Sequence, residues 1–592
     1  MIERLVRMKL FAYALDKFGG ISKAILRFWA VFLCLLTITT LDIISIESQH
    51  DFEKQIMTLV VGSFCFLCAQ GLSERFGKTF LLKCIFHAAA ALVLTAYYAY
   101  VLSINSINDV IGVKTVVGIF ALFIAFIWIP SIRRSTDFYS IFLCVFKSFF
   151  ISAFFSGIIF GGISAIIAAI NALLLPVSSH AYAHTANIVW VLWAPMLFLS
   201  LIPAFSLYNE TPEKIKKSIG YPHFLEVLLS YVLIPLISIY TLVLLLYMGK
   251  TIYLGNWNDN LLEPLILTYL IAVLLLYVLV KHIDNISTRL FRKIFPVLLA
   301  AIALYQTISS IVKAFDEGIV FTRYFVILFS LYSLVCGILL FLFPKKKNDV
   351  IAWLAILLAL VSITPYMGAF GVSSASQSAI VENTLEKNGM LQNGGIIPKS
   401  DVSDQDKKNI SRGVSYLNSV NDLDKLAFLP NNFDYSIDFK NVFGFDLYHA
   451  SDGNNYISKE YQLDPMLPID TKGYDYLLTT SIHSSDRANR DISNVTIDDQ
   501  VYKVSIINIQ GEEKKMQYQA GDTVIMSISL TQLCNKIAGY KTEIGILAPE
   551  KLTFDFENND VKVRIIFRYA SIYANNSPIN HNAEFYILYS VK

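Results

Sequence analysis

The sequence predicts a polytopic α-helical membrane protein with about eleven transmembrane helices and a C-terminal extracytoplasmic β-rich α+β domain. Only 16% of the 592 residues are charged, whereas globular domains usually carry about a quarter. Apolar stretches of about 20 residues, the length that crosses a bilayer, recur through the first two thirds of the chain. Near residue 434 the pattern changes to the alternation of apolar and polar residues that is typical of strands.

These observations divide the chain into three predicted regions. Residues 1–371 form a transmembrane helical bundle, residues 372–433 an extracytoplasmic helical collar or linker, and residues 434–592 an extracytoplasmic strand-rich domain. The predicted spans lie near residues 28–46, 56–72, 79–103, 115–132, 148–174, 187–208, 224–248, 264–281, 294–313, 320–343 and 350–366.

Basic residues alternate between the predicted loops. Every second loop holds a cluster: Arg75 and Lys78; Arg133 and Arg134; Lys214, Lys216 and Lys217; Arg289, Arg292 and Lys293; Lys345, Lys346 and Lys347. The loops between them hold single lysines or none. Because cytoplasmic loops carry the excess of Lys and Arg, the N-terminus is predicted in the cytoplasm, and an odd number of spans places the terminal domain outside.

The formal net charge of +2 divides unevenly along the chain. Residues 1–371 hold about 27 Lys and Arg against 18 Asp and Glu, and residues 372–592 hold about 21 against 28. A basic membrane part beside an acidic soluble part is not typical of nucleic-acid binding, so no nucleic-acid partner is predicted.

A few ionisable or strongly polar residues fall within or beside the predicted spans. A charge at the bilayer centre costs several kcal/mol unless it is paired or hydrated, so these residues are the candidates for an intramembrane site. They are Asp42, Lys83, His87, Asn171 and Glu226. Lys83 and Glu226 lie near the cytoplasmic boundary, where a long side chain reaches water. His87 lies deeper, and the alternative to function there is a packed, hydrogen-bonded histidine.

Motifs that carry catalysis or bind metals and cofactors are absent from the sequence. GxxxxGK[ST], HExxH, paired CxxC and GxSxG do not occur. His180 and His184 have a spacing compatible with a metal, but their loop is not predicted to be helical and no carboxylate is adjacent in sequence. The catalytic residues are therefore unknown, and neither a metal site nor a cofactor is predicted.

Two further patterns concern helix packing. The fifth span has small residues four apart, which predicts close approach of another helix; they are Ala153, Gly157, Gly161, Ala165 and Ala169. Pro195, Pro203 and Pro235 are predicted to kink their helices because proline lacks a backbone donor.

Beyond the spans, helices are predicted over residues 373–391 and 400–420, the second with Ser403 as N-cap and Asp406 in the capping-box position. Strands are then predicted over 474–482, 501–509, 523–530, 552–556, 561–569 and 583–591, with a short helix over 529–539. The strand-rich part has one cysteine, Cys534, and so cannot form an internal disulfide.

The segment YVLIPLISIYTLVLLLYMGK at residues 231–250 contains the pattern LIP…IY…YM.K. The residues are Leu233, Ile234, Pro235, Ile239, Tyr240, Tyr247, Met248 and Lys250. With the segment ASQSAIVENTLEKNGMLQNGGIIP, the chain resembles an uncharacterised family of bacterial multi-pass membrane proteins, domain of unknown function 4153. The resemblance implies a protein of the bacterial inner membrane and supplies neither a catalytic residue nor a substrate.

Three functional hypotheses follow. The first is a non-enzymatic membrane protein that presents its exported domain to an envelope protein or to membrane lipid. The second is a secondary transporter or lipid flippase. The third is a lipid-linked glycosyl transferase, for which the acidic residues Asp51 and Glu53 of the first external loop are the candidates.

Overall fold

The computed structural model describes residues 20–592 apart from residues 49, 105–106, 133–135, 206–214, 216–217, 255–261, 344–348, 393, 431–432, 436–437, 446, 448–456, 465–466, 484–488, 498–499, 510–512, 522, 539–543 and 575–579. Three of the basic clusters used to predict the topology, at residues 133–134, 214–217 and 345–347, therefore have their basic residues outside the described residues. The chain divides into two compact units: a helical unit, residues 1–387 with 413–431, and a strand unit, residues 388–412 with 432–592.

The helical unit contains helices α1 to α11, one at each predicted span. They are Trp29–Ser48, Glu53–Phe76, Phe80–Leu102, Asp109–Trp128, Phe138–Leu173, His180–Leu201, His223–Tyr253, Leu262–Leu279, Ile286–Glu317, Phe321–Leu342 and Val350–Ser362. Among the described residues, nine helices are long and apolar enough to cross a membrane, while α8 and α11 are apolar but shorter. The prediction of a polytopic helical membrane protein is thus confirmed, and the number eleven stays a prediction.

Polar caps define where several spans begin. The Asn108 side chain accepts a hydrogen bond from the backbone N–H of Ile111 at the start of α4, and Asp137 does the same for Ser140 at the start of α5, both at 3.1 Å. Asn285 and Thr288 form a reciprocal capping box at the start of α9. Because the first N–H groups of a helix have no partner within it, these caps hold the helix ends in place.

Two of the three predicted proline kinks coincide with irregular helix. A π-helical segment precedes Pro195 in α6, at Ile188–Trp193, and another precedes Pro235 in α7, at Leu228–Leu233. The widened turn accommodates a proline ring that would otherwise clash with the preceding turn. The prediction for Pro203 is wrong, because α6 ends at Leu201 and Pro203 follows the helix end.

The small-residue seam of α5 does not make the predicted helix contact within the described chain. A Cβ atom at Gly157 or Gly161 would have no described atom of another element within 4 Å. The half of this 36-residue helix that follows Ser156 is half-buried or exposed. The second half of α5 does contact α6, where Phe160 packs against Trp190 at a ring centroid distance of 6.4 Å. The close approach predicted at Gly157 and Gly161 is not found among the described residues.

Two helices follow the spans. Helix α12 covers Ala369–Lys387 and α13 covers Asp404–Ser419. The backbone N–H of Asp406 donates to Ser403 Oγ at 3.2 Å, as the predicted N-cap requires. Residues of α13 up to Arg412 belong to the strand unit and those from Gly413 belong to the helical unit. The region boundaries at 372 and 434 stay predictions.

The strand unit contains β1 to β12. They are Leu391–Gln392, Gly395–Ile396, Ile457–Leu463, Tyr476–Ile482, Arg490–Ile497, Gln500–Ile509, Glu513–Ala520, Thr523–Ser529, Ile544–Leu547, Thr553–Glu557, Val561–Ala574 and Asn580–Val591. Its helices are α14 at Phe439–Phe443, α15 at Leu530–Ala538 and α16 at Pro549–Leu552. The six predicted strands and the predicted helix α15 are all present.

The strands form two larger sheets. One has the order β4-β12-β11-β3-β9, with β10 also paired to β11, and the other has the order β5-β6-β7-β8. The long strand β11 pairs with β10 through its first half and with β3 through its second, on either side of a bulge near Phe567. Both sheets and α15 contribute to one apolar core, which includes Phe567, Phe585, Met516 and Cys534.

Candidate functional site

His87 of α3 is half-buried between two aromatic side chains. Its ring stacks on Trp29 at a centroid distance of 6.0 Å and on Phe66 at 6.4 Å. Nδ1 lies 3.0 Å from the backbone oxygen of Lys83, to which it donates when protonated there. The surroundings therefore give the imidazole a local hydrogen bond and aromatic packing.

Asp42 is half-buried on α1, far from the end of that helix that packs against His87. The ring that packs on His87 belongs to Trp29, the first residue of α1, and Asp42 follows it by 13 residues. At about 1.5 Å per residue, this places the two candidates about 20 Å apart along the helix axis. Asp42 and His87 thus do not form one site.

The other candidates lie on different helices. The Lys83 side chain is exposed on α3, and Glu226 is half-buried in the first turn of α7. Asn171 is exposed near the end of α5, where its Oδ1 accepts a hydrogen bond from the backbone N–H of Val177 at 2.8 Å. Asn171 accordingly has a structural role in the turn that follows α5.

Asp51 also caps a helix. Its Oδ1 accepts a hydrogen bond from the backbone N–H of Glu53, the first residue of α2, at 2.9 Å. A carboxylate beside the positive end of a helix is stabilising, so this contact explains the position of Asp51 without invoking a substrate.

His180 and His184 lie in surroundings that differ from those predicted. Both are on α6, which begins at His180, so the segment is helical. Glu47 at the end of α1 supplies the missing carboxylate: its Oε1 lies 2.7 Å from His184 Nε2 and 3.7 Å from His180 Nδ1. Among the described residues, no group of three or more His, Cys, Asp or Glu is placed to hold a metal ion. The three residues join α1 to α6.

The helical unit has two apolar clefts among its described residues. The first, here the α6 cleft, has a volume of about 730 Å³ and is lined by α1, α2, α4, α5 and α6. Two serines line it, and both hydroxyls donate to backbone oxygens: Ser63 to Leu59 at 2.9 Å and Ser152 to Ala194 at 2.6 Å. The hydroxyls are thus satisfied within the protein, and the cleft presents an apolar surface.

The second, here the α11 cleft, has a volume of about 460 Å³ and is lined by α4, α5, α8, α10 and α11. Phe120 of α4 lines both clefts. One face of α11 follows the cleft from its first turn to its last residue, through Ile351, Ala352, Ala355, Leu358, Ala359 and Ser362. Eleven residues of α-helix rise about 16 Å, so this cleft is elongated.

A polar cluster lies where α5 begins and α8 ends, and it is named here the Asp137 cluster: Asp137, Tyr139, Tyr277, Lys281 and His282. Nε2 of His282 donates to Asp137 Oδ2 at 2.8 Å. The Lys281 Nζ lies 5.1 Å from the ring centroid of Tyr139 and 5.5 Å from that of Tyr277. Since Tyr277 lines the α11 cleft, the cluster adjoins one end of that cleft.

Sequence reasoning missed both clefts and this cluster. Lys281 and His282 stand at the end of a predicted span, where basic residues are expected for topology alone. Asp137 could have been found as the N-cap of the fifth span, because it precedes an apolar run. Its pairing with a residue 145 positions later has no local signal.

Comparison with known proteins gives one match. The sequence model of a domain of unknown function matches residues 22–390, which include helices α1 to α11. No curated protein and no solved structure shows detectable similarity to the chain. Since the match covers more than half of the 592 residues, the chain belongs to the family defined by domain of unknown function 4153.

Proposed function

We propose that the chain is a lipid-binding protein of the bacterial cytoplasmic (inner) membrane, which holds a hydrocarbon chain of a membrane lipid within its helical unit. In this proposal its N-terminus is cytoplasmic, and its strand-rich domain is extracytoplasmic and available to an envelope protein. The observation that carries lipid binding is the pair of apolar clefts, of which the α11 cleft is elongated. Their volumes of about 460 and 730 Å³ lie in the range of ligand sites, about 300–1,000 Å³.

The chemistry of the clefts supports a hydrocarbon ligand. Water in an apolar cleft lacks hydrogen-bond partners, whereas a hydrocarbon chain gains close contacts with the lining side chains. The intramembrane candidates Asp42, His87 and Glu226 do not line either cleft. An ion-coupled transport site would bring such groups together at a central cavity.

A lipid flippase is the second candidate, and one observation favours it. Ala194 and Pro195, which directly follow the π-helical segment of α6, line the α6 cleft. Interrupted helices beside a substrate-sized cavity are a common feature of transporters. A glycosyl transferase has less support, because Asp51 is engaged as a helix cap.

The proposal can be tested by filling each cleft with a larger side chain and measuring the lipid that stays bound. The full chain is purified in mild detergent and its lipid content is measured by mass spectrometry. Ala355→Phe should fill the α11 cleft and Ala153→Phe the α6 cleft, and each should reduce the bound lipid. Ala165→Phe, on the exposed part of α5, is the matched control. Equal lipid content in all four proteins would contradict the proposal.

A further inference from the structure

Tyr277 has a hydroxyl that the described part of the chain leaves without a hydrogen-bond partner. The side chain lines the α11 cleft and is only 2% exposed. The other hydroxyls along this cleft are satisfied: Tyr332 donates to the backbone oxygen of Ile351 at 3.3 Å and Ser362 to that of Ala359 at 2.8 Å. An unsatisfied buried hydroxyl costs about 1–3 kcal/mol, so a ligand that accepts a hydrogen bond here would be stabilised.

Lys281 places a positive charge beside the same tyrosine. It follows Tyr277 by four residues, and its Nζ lies near the rings of both Tyr277 and Tyr139. Lys281 is half-buried, so water hydrates its ammonium only in part, and an anion beside it would be favoured.

The acidic residues nearby already accept hydrogen bonds. Asp137 accepts from the His282 ring and from the backbone N–H of Ser140. Asp349 Oδ1 accepts from the backbone N–H of Phe138 at 3.4 Å. Both carboxylates therefore bind at the start of α5.

We infer that the α11 cleft binds an anionic phospholipid, with one acyl chain along α11 and the phosphate at Tyr277 and Lys281. The inference rests on the proposed lipid binding and names its ligand class. The hydroxyl and the ammonium both donate hydrogen bonds, and phosphate oxygens accept them. The stretch of α11 that lines the cleft rises about 16 Å, roughly half of the ~30 Å hydrocarbon core, so the cleft matches a lipid in one leaflet.

The experiment compares two lipids with identical acyl chains on the full-length protein. Delipidated protein in detergent is titrated with phosphatidylglycerol, which is anionic, or phosphatidylcholine, which is zwitterionic, and binding is measured by native mass spectrometry. We expect the wild type to prefer phosphatidylglycerol by about tenfold, the factor that corresponds to one charge-assisted hydrogen bond.

Three variants test the parts of the site. Lys281→Gln should abolish the preference for phosphatidylglycerol while both lipids still bind. Tyr277→Phe, which removes a single oxygen and preserves the packing, should weaken the binding of phosphatidylglycerol severalfold. Arg289→Gln removes a charge from an exposed residue of α9 that pairs with Asp284, and it should keep the preference of the wild type.

The outcomes separate the two proposals. If Lys281→Gln and Tyr277→Phe both keep the full preference while Ala355→Phe prevents binding of both lipids, the headgroup assignment is overturned and lipid binding stands. If Ala355→Phe binds both lipids like the wild type, the α11 cleft is not a lipid site and the inference fails with it. Unchanged thermal unfolding of each variant shows that the fold is retained.

Discussion

The Asp137 carboxylate accepts a hydrogen bond from Nε2 of His282 at 2.8 Å, which joins the start of α5 to the turn after α8. Burial by itself raises the pKa of Asp137, but the hydrogen bonds from His282 and Ser140 outweigh it and hold that pKa at about 2. The folded helical unit therefore favours the ionised carboxylate, and its stability depends on that ionisation.

Asp137→Asn should destabilise the full chain at neutral pH and change its response to acid. In the folded protein the pKa of Asp137 lies below its ordinary value of 3.8. The stabilisation by the ionised carboxylate is therefore complete above about pH 4 and is lost as the pH falls towards 2. The expected magnitude is about 2 kcal/mol. Thermal unfolding in detergent from pH 2 to 7 measures it, and the difference between wild type and variant should shrink over pH 4 to 2.

The matched control is Asp284→Asn. Asp284 also pairs with a basic residue, Arg289, but both side chains are about two-thirds exposed. Exposed ion pairs contribute little, so this variant should unfold close to the wild type. If the two variants lost stability equally at pH 7, burial of Asp137 would not explain its effect.

Gly337→Ala should disrupt the contact between α9 and α10. A Cβ atom at Gly337 would lie 2.7 Å from the backbone oxygen of Pro296 and 3.0 Å from Ala300 Cβ. Overpacking of this kind costs about 1–3 kcal/mol, measured as a lower apparent melting temperature in detergent. Gly157→Ala is the control, because its Cβ would meet no described atom within 4 Å. An unchanged melting temperature for Gly337→Ala would mean that α9 and α10 can move apart without loss of stability.

Residues 434–592 should fold without the helical unit. The described residues of the apolar core shared by the sheets lie between Tyr461 and Val591, all within residues 434–592. Circular dichroism of the isolated piece should show mainly strands, with one cooperative transition on heating. Phe585→Ala, at a residue 1% exposed, should lower the unfolding free energy by about 3–5 kcal/mol. A disordered piece would show that the core depends on the helical unit.

Cys534 should resist thiol reagents until the strand unit unfolds. Its side chain is fully buried on α15, and burial raises the pKa of its thiol to about 12. The reactive thiolate is therefore scarce at neutral pH. Mass spectrometry after labelling of the isolated piece should find Cys534 unmodified in buffer and modified in denaturant. Rapid labelling in buffer would contradict the buried position.

The topology can be tested with two single-cysteine substitutions at exposed residues, Lys78→Cys and Asp401→Cys. In intact spheroplasts an impermeant thiol reagent should label Asp401→Cys and leave Lys78→Cys unlabelled until the membrane is permeabilised. Labelling of Lys78→Cys in intact spheroplasts would contradict the predicted orientation.

The predicted helices and strands that the structure confirms are those with a strong local sequence pattern. Every span centre coincides with a helix because about 20 apolar residues leave no other structure in lipid. Strands β5 and β7 were not predicted because they contain many polar residues, such as the half-buried Glu513 and Lys515 of β7. The helix at His180 was missed because it extends a span beyond its apolar part.

The sequence by itself determined that this chain is a helical membrane protein with a strand-rich end, because hydrophobicity and its period are local properties of the chain. Only the tertiary structure decided which polar residues meet. It separated His87 from Asp42, brought Glu47 to His184, and joined Asp137 to His282. These contacts, like the two clefts, depend on which helix faces pack together, and packing follows shape complementarity between segments distant in sequence rather than any local pattern.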